Sequence, residues 1–312
     1  MRLYCHVATI LAGVLLTGCF TGVESTPKIG ASEVKHQNAA GNTTEKLYLQ
    51  DVLPQKFGDW TRGKEFYVAD KRVGMIFSSG SAQASLDKGD IILYDHAEEV
   101  RSPVGTATDL YFSTPDGKYP LIYRINASID ELKNRDEIEI PFAVDVALVE
   151  AVKGYLKGNN YYIITSRWND GAGEPVTRVK YILVTITDVV PGTHDFPVMV
   201  KFVPHYKGLA PDKEYSAMMT VGTSQRASRN FDTLFALNNP RNRYPMITDE
   251  NWTAIIENRV REGMTREEAR LALGAPIDVD RGHDYSSVYE RWVYDGGVYL
   301  IFQDGVLQRF RR

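Results

Sequence analysis

Three short stretches set a histidine among carboxylates, the residue types from which metal sites and acid–base pairs are made. They are Asp95-His96-Ala97-Glu98-Glu99, Thr193-His194-Asp195 and Asp280-Arg281-Gly282-His283-Asp284. A metal centre needs its ligands brought to one point, by an i, i+4 pair on a helix face or by a second cluster elsewhere. None of the three has either, and each reads as a solvated loop. Asp130-Glu131 and Asp136-Glu137-Ile138-Glu139 add carboxylates within one mixed-charge segment, where nothing fixes two of them on facing elements as general acid–base work requires. No G-x-S-x-G, Walker loop, H-E-x-x-H or G-x-G-x-x-G is present. The expectation is a non-enzymatic chain with no catalytic set, metal or cofactor.

What remains is recognition chemistry. Trp60, Tyr67, Tyr162 and Trp168 are candidates for stacking on a ligand, with core and rim packing as the plainer role for the same residues. A net charge of −4 over 312 residues leaves no basic footprint for nucleic acid. Tyrosine is plentiful, 18 against 12 Phe and 4 Trp, which favours strand-rich structure because aromatic side chains suit a half-buried pleated surface.

The elements that position these residues follow in order. Residues 1–18 read as a signal peptide: Arg2 supplies the positive end, and Val7 to Leu16 is an apolar run shorter than the ~20 residues of a spanning helix. Leu16-Thr17-Gly18-Cys19 resembles the lipobox of bacterial lipoproteins. The resemblance implies a lipidated (palmitate-bearing) Cys19 as the mature N-terminus, attachment to a membrane through that lipid, and, with Phe20 rather than Asp beside it, the outer membrane, periplasm-facing. Cys5 leaves with the signal, so no disulfide framework is expected. Residues 19–45, rich in Thr, Ser, Gly, Asn and Ala, read as a flexible tether, with a short helix over 44–52 capped by Thr44.

From Gly63 the pattern alternates. Strands are expected at 64–68, 90–94, 109–112 and 121–125, divided by Gly, Asp and Pro, which indicates a small antiparallel barrel or sandwich. The order recurs later: Gly63–Arg72 aligns with Gly158–Arg167, Ile91-Ile92-Leu93 with Tyr181-Ile182-Leu183, and Leu110-Tyr111-Phe112 with Val200-Lys201-Phe202. The reading is two successive SH3-like β units, 46–145 and 146–240, the second a repeat of the first. Residues 144–153 connect them as helix or strand.

The last segment, 245–312, contains a helix with Trp252, Ile255, Ile256 and Val260 on one stripe, then a second helix over Arg266–Leu273. Thr265 and Glu268 form a capping box, Met264 and Ala269 a staple, and Gly274 a left-handed stop before Pro276. Three strands follow, Val288–Tyr294, Val298–Phe302 and Val306–Phe310, joined by Asp295-Gly296-Gly297 and Gln303-Asp304-Gly305. The whole chain is therefore expected to be α+β and mostly β: two small antiparallel units, then an α-α-β-β-β domain.

Gly263-Met264-Thr265, Leu273-Gly274-Ala275-Pro276, Glu290-Arg291-Trp292-Val293-Tyr294 and Ile301-Phe302-Gln303-Asp304-Gly305-Val306-Leu307 resemble the SmpA/OmlA (BamE-like) outer-membrane lipoprotein family. That resemblance covers only the C-terminal segment. It implies a protein-interaction role in envelope and outer-membrane protein assembly, with barrel-assembly components as partners and anionic lipid as a contact. Trp292, Tyr294, Arg309, Arg311 and Arg312 are the candidate interaction surface. Two alternatives accompany it: the duplicated SH3-like units bind glycan or peptidoglycan, or the C-terminal domain inhibits an exported hydrolase.

Overall fold

The computed structural model describes residues 48–78, 86–103, 105–117, 120–221, 229–284 and 287–311. Cys19, the signal segment, the tether, Thr44 and Arg312 lie outside the described residues. The chain is α+β and mostly β, 38% strand against 21% helix, with antiparallel sheets. Residues 48–51, the described part of the short helix expected before the first sheet, form a turn.

The first sheet contains β1 (Glu65–Val68), β2 (Ile91–Ser102), β3 (Gly105–Ser113), β4 (Pro120–Ile125) and β5 (Ala143–Asp145), in the order β4-β3-β2-β1-β5. It is a four-stranded meander whose fifth strand returns to pair with the first. Alternation along each strand sends one set of side chains inward: Phe66, Val68, Ile92, Leu110, Phe112 and Leu121 meet Leu132 of α1 (Ile129–Lys133) in one core. Ser128 and Glu131 form the reciprocal cap that starts α1.

The connecting segment is a helix, α2 (Val146–Leu156), started by Asp145, whose Oδ1 accepts from the Ala147 amide at 2.9 Å. Its buried stripe, Leu148, Val149, Val152 and Leu156, packs on the second sheet. That sheet comprises β6 (Asn160–Ile163), β7 (Arg167–Asn169), β8 (Pro175–Thr177), β9 (Ile182–Pro191), β10 (Val198–Pro204), β11 (Tyr215–Met219) and, after α3 (Phe231–Leu234), β12 (Phe235–Ala236). Its order is β12-β6-β9-β10-β11-β7-β8.

Without β7 and β8, the second sheet repeats the first strand for strand. Phe66 pairs with Ile92 as Tyr161 pairs with Val184, and Tyr94 with Phe112 as Ile186 with Phe202. The Gly63 amide donates to the Tyr94 carbonyl at 2.7 Å, and the Gly158 amide to the Ile186 carbonyl at 2.8 Å. Even the bulge recurs: the register slips after Tyr94 in one sheet and after Ile186 in the other. The register moves one part of the sequence alignment, for Ile92 corresponds to Val184, not Ile182. Alternation tolerates a two-residue slip without changing faces, so sequence alone does not detect it.

The last segment folds as α4 (Asp249–Ile256), α5 (Arg266–Leu273) and a sheet of β13 (Asp278–Asp284), β14 (Ser287–Val293), β15 (Tyr299–Gln303) and β16 (Val306–Arg311), in sequence order. The sheet has four strands rather than three: Asp280–Asp284, expected to be a loop, lies in edge strand β13, paired along its length with β14. The capping box at Thr265 and Glu268 is present, and Met264 and Ala269 are fully buried around it. Glu268 also accepts from Asn251 Nδ2 at 2.8 Å, tying α5 to α4. Gly274 has the positive φ of a stop signal (87°), but its ψ of −167° leads out extended rather than into the left-handed helical cap.

Candidate functional site

Register decides which side chains of the C-terminal sheet face α4 and α5. Trp292 pairs with Leu300, and Glu290 with Phe302; these and Leu307 are buried and line the covered face. The intervening residues stand on the opposite face. Across it run Gly282-Tyr289-Gln303-Val306, Asp280-Arg291-Ile301-Arg309 and Asp278-Val293-Tyr299-Arg311. Tyr289 and Val306 are exposed, Tyr299 and Ile301 half-buried, and Arg291, Arg309 and Arg311 exposed. The Arg291 guanidinium lies 5.4 Å from the Tyr299 ring centroid. None of these three arginines pairs with a carboxylate among the described residues.

The covered face holds a charge network. Glu290, 5% exposed, accepts the Trp292 indole N–H on Oε2 at 2.9 Å, and its Oε1 lies 3.4 Å from both Arg266 and Arg281. Trp292 is 1% exposed, packed on Phe302 and under Arg270. It is therefore a core residue and not the interaction residue expected: even positions of β14 point inward. Tyr294 is half-buried, donates to the Gly274 carbonyl at 3.2 Å and is pushed up to about 12 by burial. Of the tail expected to offer positive charge, Arg309 and Arg311 stand on the open face.

A second feature lies where the two β units meet. A cleft of about 80 Å³ is lined by Gln55, Trp60 and Asp145 from one side and by His194, Asp195 and Thr220 from the other, with Glu137 and Glu139 also in its wall. Two of its lining residues hold Lys64, 8% exposed, which donates to Asp145 Oδ2 at 2.7 Å and Gln55 Oε1 at 3.1 Å. Half-buried Trp60 packs against Phe57, Phe66 and Tyr94 and donates its indole N–H to the Gln55 carbonyl at 3.0 Å.

The other stacking candidates do not join Trp60. Trp168 is 1% exposed, edge-on to Phe202 and Tyr215 in the second core, so it is corrected from ligand contact to packing. Tyr67 packs partly buried against the same core, and Tyr162 is half-buried on β6. The histidine stretches stay apart as well. His96 lies flat on Tyr111 (centroids 4.4 Å, 4° between planes), Asp95 pairs with Arg62 at 2.5 Å, and His194 faces Glu139 at 4.0 Å. Among the described residues no three His, Cys, Asp or Glu converge as metal ligands.

Tyr289, Arg291, Tyr299 and Ile301 escaped the sequence reading. Their signal was the odd–even alternation in Val288–Tyr294, but choosing the inward parity needed the helices' position. No family model, curated protein or solved structure matches this chain, so its site stands on its own geometry.

Proposed function

We propose that the chain is a non-enzymatic, outer-membrane-anchored, periplasm-facing lipoprotein that works as a protein-interaction module in envelope and outer-membrane protein assembly. The anchor is a lipid on Cys19. The observation that carries the reading is the open face of the C-terminal sheet, where Arg291, Arg309 and Arg311, none of them in an ion pair among the described residues, share the face with Tyr289, Tyr299, Ile301 and Val306 and outnumber the edge carboxylates Asp278 and Asp280. Soluble interfaces are enriched in aromatic residues and arginine, and a bare sheet face with this mixture suits an acidic, partly apolar protein surface. The lipobox and the SmpA/OmlA-like motifs point to barrel-assembly components as that partner.

A photo-crosslinking residue placed at Tyr289 tests the proposal in intact cells. Barrel-assembly components are expected as adducts, lost when Arg291, Arg309 and Arg311 are changed together to Glu. Adducts that lack those components, or lipid as the sole adduct, overturn it.

A second reading rests on the cleft beside Trp60. A half-buried indole sharing a cleft with carboxylates suits a sugar with hydroxyl donors, so the β units are proposed to bind peptidoglycan glycan strands. Sedimentation with purified sacculi that Trp60→Ala abolishes supports it; equal sedimentation of wild type and variant rejects it.

A further inference from the structure

Among the described residues the hairpin of β7 and β8 has only a partial counterpart in the first β unit, a single bridge from Ser78 to Ile122 of β4. The hairpin adds Trp168 to the second core, while β12, β6, β9, β10 and β11 repeat the first sheet without it. Its outer side walls a cavity of about 440 Å³ against β11 and the β9–β10 turn. Arg167 and Arg229 both line it, Asn169 and Thr177 add polar groups, and Val176, Phe196 and Met218 supply apolar surface.

The wall is built by close backbone approach. A Cβ on Gly192 would stand 2.3 Å from the Phe196 carbonyl oxygen and 3.3 Å from the Met218 sulfur, so only glycine permits this turn to bring Phe196 to the cavity. The Thr193 amide, donating to the Phe196 carbonyl at 2.8 Å, fixes it there. Arg229 is anchored through Nε to the Met218 carbonyl at 2.9 Å, with its guanidinium 6.0 Å from the Phe196 ring centroid.

The charge in this cavity is unbalanced. No carboxylate lines it, and neither arginine forms an ion pair among the described residues. Of the two hairpin acids, neither of which lines the cavity, Asp170 turns Oδ1 onto the Ala172 and Glu174 amides, both at 3.0 Å. Burial, and then the charge of Arg167, push the Arg229 guanidinium below its usual range. Two guanidiniums sharing a half-buried pocket repel unless an anion joins them.

We propose that this cavity binds a small organic anion, its carboxylate or phosphate head between Arg167 and Arg229 and its apolar body against Phe196, Val176 and Met218. Both heads offer the coplanar oxygens that a guanidinium fork matches. An apolar body is required because the wall opposite the arginines carries no further charge.

Calorimetric titration of the full chain in detergent with benzoate, phenyl phosphate and acetate tests this. Benzoate or phenyl phosphate is expected to bind, more tightly than acetate, and the tighter of the two identifies the head group. Arg167→Gln and Arg229→Gln are each expected to weaken binding about tenfold or more, as loss of a charge-assisted hydrogen bond does. Arg167 is exposed, so its variant keeps the fold even if the Arg229 variant does not. Binding by none of the three probes, or binding unchanged in Arg167→Gln, overturns the proposal.

Discussion

Tyr289 occupies the space that a side chain on Gly282 would fill: a Cβ there would stand 2.2 Å from the Tyr289 ring and hydroxyl. The two residues face each other across β13 and β14 on the open face of the C-terminal sheet. An aromatic ring laid over an edge glycine restores the cross-strand contact that glycine cannot make and covers its backbone. It also fixes the orientation of the aromatic group at one end of the proposed interaction face.

Gly282→Val is expected to expel the ring and destabilise the domain by about 1–3 kcal/mol, the usual range for overpacking. In a Tyr289→Ala background the same change should cost far less. Urea denaturation of the two single variants and the double variant measures this coupling, and additive effects would show that the ring does not rest on the glycine.

Lys180 is 8% exposed and donates to the Ala272 carbonyl, near the C-terminus of α5, at 2.7 Å; burial pulls its amine down to about 8. Below pH 8 the amine is charged in folded and unfolded chains, and its burial is a standing cost. Between about pH 8 and 10.5 the folded chain releases the proton while the unfolded chain keeps it, so stability rises with pH, by about 3 kcal/mol in total. Burial holds the Tyr161, Tyr181 and Tyr294 hydroxyls above their usual range, so above pH 10 the unfolded chain loses protons first and stability falls. Denaturation across this range should show a maximum near pH 10, and Lys180→Met should flatten the rising limb.

Asp145 does two jobs at the junction of the β units: Oδ2 meets buried Lys64 and Oδ1 caps α2. Asp145→Ala is expected to cost about 3–5 kcal/mol, since it strands a buried ammonium as well as removing a cap. Lys64→Met with Asp145→Asn, which removes both charges and keeps a capping side chain, should recover most of that in the same thermal melt.

Glu290→Gln removes the charge on which Arg266, Arg281 and the Trp292 indole converge. Destabilisation by about 1.5–3 kcal/mol is expected, the range for a hydrogen bond to a charged group, because the two arginines left behind keep access to water. The emission of Trp292 should shift with it, and an unshifted spectrum would place the indole elsewhere.

Legibility followed the range of the interactions. The cap at Thr265 and Glu268 is local and was readable, as was the Asp304-Gly305 turn, where φ values of 49° and 83° match what a two-residue hairpin requires. Strand β13 was not readable, because Val279 is its only aliphatic residue and pairing with β14 alone makes it a strand. Trp292 faces the core rather than the interaction surface expected, and Trp168 takes the packing role open to it, because residue type does not state which face of a strand it occupies. The Arg167–Arg229 pocket was invisible for a related reason: its two charges lie far apart in sequence and meet only through the β11 pairing.

The sheet orders also bear on how the chain is made. Every strand partner of the first sheet lies between Glu65 and Asp145, and the second sheet begins only at Asn160 and ends at Ala236, before the C-terminal elements start at Asp249. No strand is lent from one sheet to another among the described residues. Each sheet is complete when its last residue emerges during synthesis: β1 waits for β5 and β6 for β12, but both partners lie within the same unit. A chain so arranged folds unit by unit in the order in which it is read, and no described strand waits for a segment beyond its own sheet.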